Sequence, residues 1–329
     1  MSKTLDFITS SDEHIAEINP GFTAGSYRDD LLEMLDWQGK LARKIGARAV
    51  FRAGDLFHQK AANKTTMRTL ATISRIHREY GCDTYAVAGN HDMTHNDPDS
   101  IPGQPLGVLY GSGVFHRLTE QCFELGSTKV RTVGVEYTAD LDTDGLQNLV
   151  RKKDENYTIA IVHALAAFAP EERIQSFFNE RVFDYRDLVY EGCPDVYVFG
   201  HYHKDQGVVE HQGVKFVNLG AISRGALTLE NMDRKPKVSH IRVTPNGISV
   251  DEIVVPHKDA SEVFDLDKKK RIDLQMKDMK DFLQKLQTNA DLSSTSTLEE
   301  RLSTLNNLST DLREMVLETI EAAESGLEG

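Results

Sequence analysis

Cysteine is scarce in this 329-residue chain. Cys82, Cys122 and Cys193 lie far apart and form no CxxC pair, which argues against a disulfide framework and against a thiolate zinc site. They read as small buried hydrophobes. Long hydrophobic runs are missing too: no stretch approaches the roughly 18–20 apolar residues that a membrane span requires. Residues 1–7 (MSKTLDF) carry no signal-peptide h-region, so the expectation is a soluble, cytoplasmic protein with no membrane contact. A Gly-rich Walker loop is absent, so ATP hydrolysis by this chain is not supported. Nor is there an excess of basic residues. Lys and Arg number 38 against 51 Asp and Glu, a net charge of -13, which argues against nucleic-acid binding by overall attraction but leaves room for a local basic track. Residues 272–329 hold 12 acidic and 5 basic side chains, or -7, so the remainder carries only -6.

What the chain does have is a series of short apolar segments bounded by turn residues. Leu5–Ser10, Ala47–Arg52, Thr84–Ala88, Thr158–Val162, Asp195–Phe199 and Lys215–Asn218 read as buried strands. Leu31, Leu32, Leu35, Leu41 and Ile45 give Arg28–Ile45 a helical stripe, and Met67, Leu70, Ile73 and Ile76 do the same for Thr65–Tyr80. Strands alternating with amphipathic helices predict a layered α/β core. Thr128–Tyr137, Ser239–Val243 and Ile248–Val255 add further strands, the last two joined by the turn signal Thr244–Gly247. Beyond Pro256 the pattern becomes helical: Lys268–Leu286, a polar break, then Thr297 to about Ala323, with Thr297 and Glu300 placed as a capping box. The expected division is residues 1–257 and a helical tail, 258–329.

Five of the strands run directly into metal-ligand or phosphate-handling residues: Asp12-Glu13-His14, Gly54-Asp55, Gly89-Asn90-His91-Asp92, Val162-His163 and Gly200-His201-Tyr202-His203. In an open α/β sheet the functional crevice lies outside the carboxyl ends of the strands, where all five fall. A pair of divalent cations roughly 3.5–4 Å apart can clamp both attacking and departing oxygens of a phosphoester displacement. Such a site needs a bridging carboxylate and neutral imidazoles and oxygens around it, and Asp12, His14, Asp55, Asn90, His163, His201 and His203 supply that set. Mixed nitrogen and oxygen donors suit manganese, iron or zinc. The two histidines of His201-Tyr202-His203 would share one face of a strand, whereas in a loop they can diverge to two metals.

The ordered series D-x-H, G-D, G-N-H-D, H and G-H-x-H, spanning residues 12–203, resembles the calcineurin-like metallophosphoesterase superfamily. Within it, Gly54-Asp55-Leu56-Phe57-His58 is similar to the repair-nuclease branch, the SbcD or meiotic-recombination type, as are Pro105–Leu109 and Gly111-Ser112-Gly113. Protein phosphatases of the superfamily instead carry a G-D-x-x-D-R-G-like segment, where this chain has His58-Gln59-Lys60. The resemblance implies a β-sandwich core flanked by helices, with Asp12, His14 and His203 on one metal, Asn90, His163 and His201 on the other, and Asp55 bridging. It implies that His91 is the non-ligand catalytic histidine, that Asp92 orients it, and that His58 acts beside the site on substrate.

It further implies a manganese-dependent DNA exonuclease and endonuclease, the nuclease subunit of an SbcCD-type repair complex. Its partner would be an SMC-like ABC ATPase docked on the C-terminal helices, and a homodimer is a further expectation. The short tail is similar to compact nuclease subunits of bacteriophages, which would place the protein in a host cytoplasm. Arg224, in Ser223-Arg224, is the expected substrate-phosphate contact; the basic clusters Asp233–Lys237 and Lys268–Arg271 are weaker ones. Two alternatives stand beside this reading: a phosphoesterase for phosphoproteins or cyclic nucleotides, and a module that chiefly docks DNA ends or an ATPase.

Overall fold

The computed structural model describes residues 4–171, 174 and 180–277. The chain divides into two compact units, Met1–Phe264 and Asp265–Gly329. In the first, the period-2 alternation of the strands is buried on both faces. The core sheet has the order β14-β13-β1-β2-β3-β4, built from β1 (Leu5–Ser10), β2 (Ala49–Ala53), β3 (Asp83–Val87), β4 (His116–Arg117), β13 (Lys237–Thr244) and β14 (Gly247–Val254). Facing it is a second sheet of order β11-β12-β10-β7-β6-β5. Its members are β5 (Glu120–Leu125), β6 (Thr128–Val135), β7 (Tyr157–His163), β10 (Val196–Gly200), β11 (Gly207–His211) and β12 (Val214–Asn218). A small pair, β8 (Ala166–Ala167) with β9 (Phe183–Asp184), completes the set among the described residues.

Alternate side chains fill alternate layers. Leu5, Phe7, Ala49, Phe51 and Ala53 meet Val130, Ile159, Ile161, Val196 and Val198 between the sheets. The intervening residues Ile8, Val50 and Ala86 face outward, onto Leu31, Leu35, Leu70 and Ile73. These last belong to helices α1 (Tyr27–Ile45) and α2 (Met67–Arg78). On the far side of the second sheet, Tyr185 and Tyr197 each stack on Phe199 and Phe216 in nearly parallel planes, the Tyr185 and Phe216 centroids 4.5 Å apart. Each fully buried Phe or Leu stabilises the fold by about 1.5–3 kcal/mol, so the sandwich rests on its strands more than on its surface.

The sequence pattern found the central strands within two residues. It did not mark β5, whose exposed, charge-bearing Glu120–Leu125 looks like a loop until it pairs with β6. The described part of the predicted helix from Lys268, residues 268–277, is helical; Thr297 to Ala323 lies outside the described residues.

Strands β1, β2 and β3 run parallel to one another, as do β7 and β10. All five motif strands therefore deliver their carboxyl ends to neighbouring positions at one edge of the sandwich. The two sheets touch there, since a Cβ on Gly200 at the end of β10 would lie 2.0 Å from the Ala53 carbonyl at the end of β2.

Candidate metal centre

Past its strand, β1 continues as a ladder with the loop after β2. Asp12 and His14 donate their N–H groups to the Gly54 and Asp55 carbonyls, both at 3.0 Å. The geometry requires a left-handed backbone at Asp12 (φ 55°), His14 (φ 46°), Asp55 (φ 55°) and His201 (φ 87°). Non-glycine residues there cost about 1–2 kcal/mol each, and Asp and His are among the types that tolerate the region. That four of the proposed ligands share this conformation is a property of the site that no motif displays.

The side chains gather into groups whose donor atoms lie within 4.8 Å of one another: Asp12, His14, Asp55 and His203 in one, and Asp55, His163 and His201 in another. Asn90 joins the second, its Oδ1 3.3 Å from His163 Nε2. Asp55 Oδ2 is 3.6 Å from His14 Nε2 and 3.5 Å from His163 Nε2, which puts this carboxylate between the groups. His201 and His203 follow the end of β10 in a loop, and their rings diverge to the two groups.

The donor set fits divalent cations. His14 Nε2 and His203 Nε2 sit 2.9 Å apart, close to the separation of neighbouring ligands that each lie roughly 2.0–2.2 Å from one ion. Burial, and next the His203 ring, hold His14 well below the ordinary histidine pKa, so its imidazole is neutral, as a metal ligand must be. Burial alone would raise the Asp55 carboxyl, but His163 beside it pulls the group well below the usual carboxylate range. Burial likewise opposes charge on His163, yet Asp55 outweighs it and lifts that imidazole to about 9, so a cation bound there would have to displace a proton from it.

The motif glycines make room. A Cβ on Gly89 would fall 2.1 Å from Asp55 Oδ1, and one on Gly54, at φ 91°, would fall 2.1 Å from His163 Nδ1. What these glycines admit is the proposed ligand side chains themselves.

His91 stands beside the first group, its ring centroid 4.8 Å from that of His14. It stacks on His58 at 5.6 Å with 19° between the planes, and His14, His58 and His91 form a third group of close donor atoms. Its Nδ1 contacts the His58 carbonyl at 2.6 Å and its backbone N–H donates to Asp55 Oδ1 at 2.8 Å.

Asp92 differs from the expectation that it orients His91. That part falls to the His58 carbonyl, while Asp92 is buried and accepts from the N–H groups of Gly89 (3.0 Å), Phe57 (3.2 Å) and Leu56 (3.3 Å). It ties the loop carrying Asp55 to the loop carrying Asn90. Burial, and then the Asp55 charge, push its carboxyl up to about 7.

Arg224 is also placed otherwise than expected. It is 4% exposed and its guanidinium donates to the Lys258 carbonyl, which occupies it inside the fold. Arg234, from the first basic cluster, is buried and donates to the Ala221 and Ser223 carbonyls. Ser223 in turn donates through Oγ to the Asp12 carbonyl at 2.9 Å, so this cation braces the Asp12 turn.

Sequence reasoning missed three features. Glu180 Oε2 lies 2.9 Å from His201 Nε2, yet nothing around Phe178-Asn179-Glu180 resembles a motif. Tyr137 sits against His201 and His163 at centroid distances of 5.4 and 6.2 Å. Behind the centre, Arg52 is 1% exposed and binds Glu13, between Asp12 and His14, at 2.6 Å. It also donates to Gln38 at 2.6 Å and Tyr80 at 2.9 Å. A charge in the middle of the apolar run Ala49–Ala53, facing another inside the first motif, was the available signal.

A family model described as calcineurin-like phosphoesterase matches residues 7–205. No curated protein matches the chain. Among solved structures, the chain is similar to the sulfate thiohydrolase SoxB of Thermus thermophilus at 13% identity and a TM-score of 0.46, covering 77% of this chain and 56% of that one. It is similar to a dimetal phosphatase from Danio rerio at 12% identity and a TM-score of 0.48, covering 77% of this chain and 99% of the other. A third such structure is TT1561 of Thermus thermophilus, at 14% identity, a TM-score of 0.44, and 77% and 100% coverage. No helix among the described residues is long and apolar enough to cross a membrane.

Proposed function

This chain belongs to the calcineurin-like phosphoesterase family, and from that premise we propose that it hydrolyses phosphodiester bonds of DNA with two divalent cations, manganese by preference. The observation that carries the reaction is the pair of donor groups meeting at Asp55. Asp12, His14 and His203 would hold one cation, His163, His201 and Asn90 the other, and Asp55 both. When bound, such cations neutralise phosphoryl oxygens and bring the pKa of water toward neutrality.

The protein's own groups then have defined tasks. The His58 carbonyl fixes the proton of His91 on Nδ1, leaving Nε2 as the atom that can hold a proton or hydrogen bond for the departing oxygen. Because the Asp55 carboxylate also accepts from the His91 backbone N–H, ring and bridging group keep one spacing. His58, stacked on His91, is placed to touch substrate beside it.

DNA as substrate rests on the likeness of Gly54–His58 to the repair-nuclease branch and on His58 standing at the His91 ring. An SMC-like ABC ATPase bound through the C-terminal helices, a homodimer and a cytoplasmic setting belong to the same reading. The test is manganese-dependent cleavage of linear and hairpin DNA, with and without a candidate ATPase, beside His91→Ala. Cleavage by the wild type, and loss in the variant with cation binding retained, is the expected result. A wild type inert on DNA but efficient on small phosphodiesters would sink the substrate assignment.

A further inference from the structure

We propose that Glu180 is a positioning residue that sets the tautomer of His201 and so decides which of its nitrogens meets the cation. The inference deepens the metal-centre reading given above and rests on it. A histidine that ligates a metal through one nitrogen commonly donates its other N–H to a carboxylate, carbonyl or water, which fixes ring and tautomer together. One proposed ligand histidine and the non-ligand His91 beside it already show such an acceptor on the chain. His163 Nδ1 contacts the Ala53 carbonyl at 2.6 Å, which turns Nε2 toward Asn90 and Asp55. His91 Nδ1 contacts the His58 carbonyl at the same distance.

At His201 the acceptor is a carboxylate and the sense is reversed. Its Nε2 faces Glu180 Oε2 at 2.9 Å, so Nε2 carries the proton and the lone pair is left on Nδ1. The backbone fixes the other end of the residue: at φ 87° the His201 N–H donates to both carboxylate oxygens of Asp12, each at 3.1 Å. Main chain and ring tip are thus both held, and Nδ1 is the nitrogen free to serve the group with Asp55 and His163. Tyr137 reaches the arrangement from the side, its ring centroid 5.4 Å from that of His201. A cavity of about 210 Å³ opens beside them, lined by Tyr137, His163, Glu180 and Arg181 among others. Glu180 is a third exposed (34%); water can replace it, so the loss on its removal is partial rather than complete.

The experiment uses the full chain, Mn2+ alone as titrant, and calorimetry beside imidazole nitrogen NMR of the apo protein. Wild type is expected to bind two ions and to show His201 protonated at Nε2. Glu180→Ala should weaken one site about 10- to 100-fold, the range for outer-shell partners, and should leave the other site and the apo melting temperature unchanged. Glu180→Gln should restore most of that affinity, because its amide oxygen still accepts from Nε2–H. His201→Ala should remove the same site.

Equal affinities in wild type and Glu180→Ala, an equal loss at both sites, or tighter binding in the variant would each overturn the proposal, the last by showing that Glu180 competes with the cation. A His201 proton on Nδ1 in the wild type would also overturn it. If wild type binds no Mn2+, the metal-centre reading fails first and this inference with it; if wild type binds two ions and the variant is unchanged, only the inference fails.

Discussion

Replacing Arg52 by Met tests whether the ion pair behind the centre holds the first ligand segment in place. Arg52 and Glu13 side chains are each 1% exposed and 2.6 Å apart. Without Arg52, Glu13 keeps a single side-chain donor, the Ser10 hydroxyl at 2.7 Å, and the Gln38 carbonyl oxygen loses its donor. Breaking a buried pair by removing one partner typically costs about 3–5 kcal/mol. A change of 1 kcal/mol moves the melting temperature of a domain this size by about 2–4 °C, so Arg52→Met should lower it by about 6–20 °C. The double variant Arg52→Met/Glu13→Met removes both charges and should recover much of that loss, since an apolar pair of similar volume is often neutral or better than a buried salt bridge. Urea unfolding of the wild type, both single variants and the double variant closes the cycle and isolates the coupling. A loss below about 1 kcal/mol for Arg52→Met, or a double variant as unstable as the single one, would refute the reasoning.

Asp92→Asn should cost about 1–3 kcal/mol, the range for leaving a buried donor unsatisfied, because its amide oxygen can keep the Gly89 and Leu56 N–H groups or the Phe57 N–H, while its nitrogen cannot accept from the other side. Its Mn2+ affinity and its cleavage rate should fall together; a variant that binds Mn2+ normally and only cleaves slowly would return Asp92 to the catalytic part first expected of it. His77 gives a pH dependence. Burial, then the Arg52 charge, hold it well below the ordinary histidine value, with Nε2 3.2 Å from the Arg52 guanidinium and Nδ1 2.9 Å from the Ile73 carbonyl. Because the folded pKa lies below the unfolded value of about 6.5, the stabilisation is complete above that pH and is lost as pH falls toward the folded pKa, by at most about 1.4 kcal/mol per pH unit. His77→Met should flatten the fall of melting temperature between pH 6.5 and 5; an unchanged slope would assign the acid sensitivity elsewhere.

The donor residues that the structure gathers around Asp55 were legible because ligand chemistry leaves few choices of side chain, and because the five motifs that carry them follow strands whose apolar runs are plain. Their grouping follows from topology once β1, β2 and β3 are parallel and β7 and β10 lie across from them. Residues recruited from outside the motifs were not legible. Glu180 reaches His201 across 21 positions and Arg52 reaches Tyr80 across 28, and nothing local encodes either contact. Arg224 and Arg234 show the converse error: an arginine near the centre in sequence reads as a phosphate contact, yet the carbonyls of a tight loop can claim its donors first.

The left-handed turns connect these observations. Four strained ligand positions at about 1–2 kcal/mol each amount to a sizeable part of the roughly 5–15 kcal/mol that keeps a domain folded. Such positions persist only where their surroundings over-determine them, and the surroundings here are specific. Ser223 holds the Asp12 carbonyl, Asp92 holds the Leu56 and Phe57 N–H groups that follow Asp55 and ties them to Gly89, the Asp12 carboxylate holds the His201 N–H, and the Tyr27 hydroxyl donates to the His14 carbonyl at 3.2 Å. Each strained residue has its own clamp, and the clamps belong to different elements of the first unit. The geometry of the proposed ligands is thereby set by the folded protein itself, which is the arrangement that electrostatic and positional catalysis at the proposed centre would require.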